Sequence, residues 1–203
     1  MLVKKFKLAN LITYVGAASS VSAMILAFNQ KINIAMIGLI IAGISDLFDG
    51  KFARSFNRTK EEKLTGIELD SLSDVTNFLI CPVILCLGMG FRSWYSYIVF
   101  VLYVLSGLTR LAVFNVSAAE HNVDKPVTYY NGLPVTYAAV LFPLFWLCSR
   151  VLSNGIFEIL YTVVMLIIAY LFVANIKIPK PKGIAFAAFT VAALIMMIVL
   201  ILM

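Results

Sequence analysis

Long apolar runs separated by brief polar punctuation organise this chain. Runs long enough for a helix to cross a hydrocarbon layer of about 30 Å can be drawn at 11–28, 33–56, 66–90, 94–116, 133–150, 156–175 and 183–203. The pattern predicts an all-α, polytopic membrane bundle, with residues 1–203 as a single integral membrane domain. The opening MLVKKFKLAN (1–10) reads as a short amphipathic segment lying on the membrane surface. No small-residue cleavage site follows the first run, which is therefore expected to stay as a helix of the mature protein. TGIE, from Thr65 to Glu68, fits a capping box with Thr65 at the N-cap and puts the start of the third helix at Gly66. The small residues GAASSVSA (16–23) suit a close helix contact, within one chain or across a homodimer.

Composition agrees: 62% of the residues are hydrophobic and 13% charged, against about 25% charged in soluble domains. With the N-terminus inside, the cytoplasmic segments hold Lys4, Lys5, Lys7, Lys51, Arg54, Arg58, Lys60, Lys63, Arg110, Lys125, Lys177, Lys180 and Lys182, thirteen cations, while Lys31, Arg92 and Arg150 fall outside. That asymmetry predicts a cytoplasmic N-terminus. The net charge of +6 is thereby explained by topology and by attraction to anionic membrane lipids, with no nucleic acid required. Cys81, Cys86 and Cys148 all fall inside apolar runs without metal-ligand spacing, and read as packing residues.

The unusual feature is a set of carboxylates inside two of the runs. Asp46 and Asp49, three apart, share a helix face with Ala53 and lie beside Gly50. Asp70 and Asp74, four apart, share a face of the next helix near its expected N-terminus. Consecutive helices across an inner loop (57–65) are antiparallel neighbours, so the four acids should converge at the cytoplasmic end. They could instead be solvated helix ends paired with Lys51, Arg54, Arg58 and Lys60. However, a carboxylate within a span is costly and usually functional, and four converging negative charges call for a cation. All-oxygen ligands without His or Cys favour divalent Mg²⁺, Mn²⁺ or Ca²⁺, and two ions would suit phosphoryl transfer.

Asp46-x2-Asp49-Gly50-x2-Ala53-Arg54, eleven residues, then Gly66-x3-Asp70-x3-Asp74 resembles the signature of the CDP-alcohol phosphotransferases. These membrane enzymes move a phosphatidyl group from a CDP-lipid to an alcohol and release CMP. NLIT, Asn10 to Thr13, resembles the family's entry to its first helix. The resemblance implies a six-helix core over residues 11–175 and an additional helix at 183–203. It further implies that Asp46, Asp49, Asp70 and Asp74 hold two divalent cations on the pyrophosphate, with Asp74 also the catalytic base. Gly50, Ala53, Arg54, Gly66, Asn10 and Thr13 would contact the CDP-lipid, whether CDP-diacylglycerol or an archaeal equivalent. A homodimer in the cell membrane, with its site at the cytoplasmic face, is the corresponding expectation.

RLAVFN (110–115) and NGLPV (131–135) resemble the phosphatidylserine synthase branch, pointing to L-serine as acceptor. Arg110 or Lys125 would meet its carboxylate, with Asn115, Thr128 or Asn131 as hydrogen-bonding partners. Glycerol 3-phosphate or inositol phosphate remains an alternative acceptor, since a phosphate could use the same cations. A divalent-cation transporter is a more distant alternative, because transport sites usually lie near the midplane between repeats and this chain has no evident repeat.

Overall fold

A computed structural model of the protein describes residues 7–120, 129–179 and 184–203. After a 3-10 turn at Leu8–Asn10 come α1 (Leu11–Phe28), α2 (Ile32–Arg54), α3 (Lys60–Asp74), a π-helical turn at Val75–Ile80, α4 (Cys81–Gly88) and α5 (Trp94–Glu120). Then follow β1 (Tyr129–Asn131), α6 (Ala138–Trp146), α7 (Asn154–Val173), β2 (Lys177–Pro179) and α8 (Ile184–Leu202). This is the helical membrane bundle expected from hydropathy. Five stretches, Leu8–Phe28, Ile32–Arg54, Lys60–Gly88, Trp94–Ser117 and Asn154–Val173, are long and apolar enough to cross a bilayer. The other two expected spans are shorter among the described residues, at Val135–Arg150 and Thr190–Leu202. In the former, Pro143 interrupts the backbone ladder, and regular α-helix is confined to α6 between two 3-10 turns. A feature the helical periodicity did not announce is the antiparallel pairing of β1 with β2, Tyr130 opposite Ile178.

The third helix starts earlier than TGIE suggested. It begins at Lys60, capped by Thr59, whose hydroxyl accepts the Glu62 N–H at 3.2 Å while Glu62 accepts the Thr59 N–H at 3.0 Å. Thr59 to Glu62 and Thr65 to Glu68 match the same capping pattern. The earlier box prevails because Glu61 and Glu62 both sit in the first turn, where the helix dipole favours them, and because it adds more than a turn of helix. Thr65 instead bonds back to the Glu61 carbonyl. Asp70 and Asp74 therefore lie in the last two turns of α3, Asp74 being its final residue, and the expectation that they profit from a helix N-terminus is corrected. The inner loop shrinks from 57–65 to 55–59.

Small residues bring the first helices together. Ser19 Oγ donates to the Gly38 carbonyl at 2.8 Å, and a Cβ on Gly88 would stand 2.6 Å from the Ala27 carbonyl oxygen. GAASSVSA is thus a contact within the chain: Gly16, Ser20 and Ala23 are buried, and Cys81 Sγ lies 3.8 Å from the Ser20 carbonyl oxygen. Pro82 offers no N–H to the turn behind it. There the Phe78 carbonyl is satisfied from another helix, accepting from the Tyr103 hydroxyl at 2.6 Å. The π turn lies just beyond Asp74.

Candidate active site

The carboxylates meet as the spacing predicted. One oxygen from each of Asp46, Asp49 and Asp70 lies within 4.8 Å of the others. Asp74 is not one of this group of three, but it interacts with Asp46, as Asp70 does with Asp49. Asp49 is buried and the other three are half-buried. Two hydroxyls orient the pair on α2: Thr13 Oγ1 donates to Asp49 Oδ2 at 3.0 Å, and Thr136 Oγ1 donates to Asp46 Oδ2 at 2.9 Å. Each threonine thus occupies one oxygen of its carboxylate.

Among the described residues no lysine or arginine forms an ion pair with any of the four. A cluster of this charge needs a cation to offset its repulsion, and its donors are all hard oxygens. The residues fit a divalent cation of the Mg²⁺, Mn²⁺ or Ca²⁺ kind.

Around the acids, Asn10 is buried and Gly66 packs close to it: a Cβ on Gly66 would stand 3.4 Å from Asn10 Oδ1 and 3.2 Å from Arg58 Nη1. Ala53 is half-buried, while Gly50 and Arg54 are exposed at the end of α2. Arg110 is buried on α5 with its guanidinium 5.1 Å from the Phe114 ring centre. Asn115 Nδ2 donates to Ser71 Oγ at 2.8 Å, joining the end of α5 to the turn of α3 that carries Asp70. Lys125 and Thr128 lie outside the described residues, and of Asn131 only the backbone in β1 is described. Two residues escaped the sequence reading. Thr136 follows the Gly-Leu-Pro turn, but a threonine at a helix start reads first as a cap. Arg58 lies four residues after the signature's Arg54, in the loop beyond α2, and reads first as a loop cation.

Residues 6–174 match the family model described as CDP-alcohol phosphatidyltransferase. The chain belongs to the CDP-alcohol phosphatidyltransferase family. The family region takes in everything from the turn before α1 through α7 and leaves β2 and α8 beyond it. Among relatives, the CDP-diacylglycerol--serine O-phosphatidyltransferase of Saccharomyces cerevisiae is 39% identical over 47% of this chain and 36% of its own length. The archaetidylserine synthase of Methanothermobacter thermautotrophicus is 30% identical over 87% of this chain and 71% of its own. The CDP-diacylglycerol--serine O-phosphatidyltransferase of Helicobacter pylori is 34% identical over 71% of this chain and 60% of its own. The match thus spans about a third of the yeast relative and under two thirds of the Helicobacter one.

Proposed function

We propose that this CDP-alcohol phosphatidyltransferase moves a phosphatidyl or archaetidyl group from a CDP-lipid to L-serine, giving phosphatidylserine or archaetidylserine and releasing CMP. The observation that carries this reading is the convergence of Asp46, Asp49 and Asp70 on one point, with Asp74 against them. Serine is supported by the activities for which the relatives are named and by the RLAVFN and NGLPV segments.

In this reading the four aspartates hold divalent cations, two of them, Mg²⁺ or Mn²⁺ with Ca²⁺ also suited. When bound, such ions neutralise the pyrophosphate and stabilise the departing CMP. The chain's own groups do the rest. Asn10, Gly50, Ala53, Arg54 and Gly66 border the CDP moiety, and Thr13 and Thr136 hold Asp49 and Asp46 in orientation. Asp74 accepts the proton of the serine hydroxyl as its oxygen bonds to the lipid-side phosphorus. The bond from that phosphorus to the CMP oxygen then breaks, and CMP carries away the electron pair. Arg110 and Asn115, with Lys125, Thr128 and Asn131, form the acceptor side. Asn115 supports this assignment because its bond to Ser71 brings the end of α5 beside Asp70. The basic inner segments support a cytoplasmic site, where a water-soluble acceptor meets a headgroup whose tails stay in the bilayer.

The test is CMP release from CDP-diacylglycerol by purified protein in detergent with Mn²⁺, comparing no acceptor, L-serine, glycerol 3-phosphate and inositol phosphate. Release with serine alone is expected. Release only with a phosphorylated acceptor would keep the aspartates and overturn the acceptor assignment, and no release with any acceptor would remove the transferase reading altogether.

A further inference from the structure

Among the described residues, Arg58 carries a buried side-chain donor without an acceptor. It lies in the loop between α2 and α3, half-buried, and its Nε is shut off from solvent with no hydrogen-bond partner. A buried guanidinium N–H left unpaired is costly, so the position calls for an oxygen from elsewhere. The neighbouring acid does not supply it: Glu62 Oε2 accepts the Thr59 N–H at 3.0 Å and Glu62 Oε1 pairs with Lys7 at 2.8 Å.

The guanidinium has a defined seat. Its Nη1 lies 3.2 Å from where a Cβ on Gly66 would be, so a larger residue at 66 would force it to shift. Gly66 and Asp70 are four apart and share a face of α3, which sets Arg58 about one helical turn, roughly 5.4 Å along the axis, on the loop side of the carboxylates. Asn10 borders the same spot from α1's entry, three residues before Thr13, which holds Asp49. Gly66, with Asn10 beside it, thus borders the Arg58 guanidinium on the loop side of the carboxylates. Arg54, the arginine of the signature, is exposed at the end of α2 with its Nη1 only 3.7 Å from the Cβ position of Gly50.

We propose that Arg58 is an anion-binding residue of this site, its Nε–H donating to a phosphate oxygen of the CDP moiety, and that Gly66 is small in order to admit it. The inference rests on the CDP-lipid reading above and adds a residue to it. An anion bridging the cation-holding acids and a guanidinium suits a pyrophosphate, which offers oxygens on two phosphorus atoms, and arginine's planar fork matches that geometry. The same chemistry could come from an anionic lipid headgroup, and the experiment separates the two sources.

The measurement is calorimetric titration of CDP into the purified full-length protein in neutral detergent with Mn²⁺, for wild type, Arg58→Gln, Arg58→Lys and Lys63→Gln. Lys63 is an exposed cation of α3, so its variant removes the same net charge from the same face. Arg58→Gln is expected to raise the Kd for CDP about tenfold or more, the loss of a charged hydrogen bond, while Lys63→Gln stays within about twofold. Arg58→Lys, which keeps the charge and loses the fork, should fall between them, and serves as the readout if Arg58→Gln does not fold. In turnover the KM for CDP-diacylglycerol should rise and that for serine should not. Unchanged CDP affinity in both Arg58 variants overturns the proposal. So does a defect confined to association with vesicles containing phosphatidylglycerol, which would assign Arg58 to the membrane surface. Wild-type protein that fails to bind CDP at all overturns the CDP-lipid reading itself, and Arg58's role with it.

Discussion

Thr136 Oγ1 donates a 2.9 Å hydrogen bond to Asp46 Oδ2, joining the 3-10 turn before α6 to α2 across 90 residues of sequence. The turn before it explains why it arrives there. Gly132 has φ +78°, its N–H bonds to the Ile176 carbonyl at 2.8 Å, and the Leu133 N–H bonds to the Leu171 carbonyl at 2.9 Å. The Gly-Leu-Pro segment is thus pinned to the end of α7, and the next turn delivers Thr136 to the acidic cluster. Partners that orient a metal-holding carboxylate commonly matter about 10–100-fold in metal affinity. Thr136→Ala is expected to raise the Mn²⁺ concentration for half-maximal CMP release, and the Mn²⁺ Kd measured by electron paramagnetic resonance, by about tenfold. Thr136→Ser should restore both. Equal Mn²⁺ binding in wild type and Thr136→Ala would reduce the residue to packing.

Asp74→Asn keeps shape and removes the charge. If Asp74 takes the acceptor's proton, CMP release should fall by about 10²–10⁴-fold with the thermal unfolding midpoint in detergent preserved or raised, because one of four mutually repelling charges is gone. A variant that turns over normally would exclude Asp74 as the base.

Chelation gives an independent check of the donor chemistry. EDTA should abolish CMP release and excess Mg²⁺ or Mn²⁺ should restore it, since an oxygen-only set favours hard ions. Full activity in EDTA would argue that the cluster works without a cation.

Gly132→Ala tests the turn. Its backbone is in the left-handed region, and an added Cβ would stand 2.5 Å from the Phe172 carbonyl oxygen. Such strain costs about 1–3 kcal/mol, so a lower unfolding midpoint is expected, together with weaker Mn²⁺ activation through Thr136. Gly155→Ala, where a Cβ meets nothing within 4 Å, is the control and should leave Mn²⁺ activation unchanged and the midpoint equal or higher.

Tyr103→Phe removes the hydroxyl that satisfies the Phe78 carbonyl in the π turn. A loss of about 1–2 kcal/mol is expected from a buried acceptor left unpaired, read as a lower unfolding midpoint with the KM for serine unchanged. An unaltered midpoint would mean that the turn repacks and satisfies the carbonyl locally.

The order of apolar runs, the positive-inside bias and the spacing of Asp46, Asp49, Asp70 and Asp74 were readable from the sequence alone. Each depends on a local periodicity or on solvent partition, which neighbouring residues decide between themselves. The start of α3 was not, because two capping boxes compete within ten residues and the choice depends on which gains the better first turn. Nor could the sequence show that the small-residue stripe of α1 is spent within the chain, against Gly38 and Cys81, since the same stripe serves contacts between chains equally well. The surroundings of the acids were decided by tertiary structure. Thr13 and Thr136 reach the cluster from two separate segments, and no periodicity within a segment reports which distant carboxylate a side chain will meet once the helices pack.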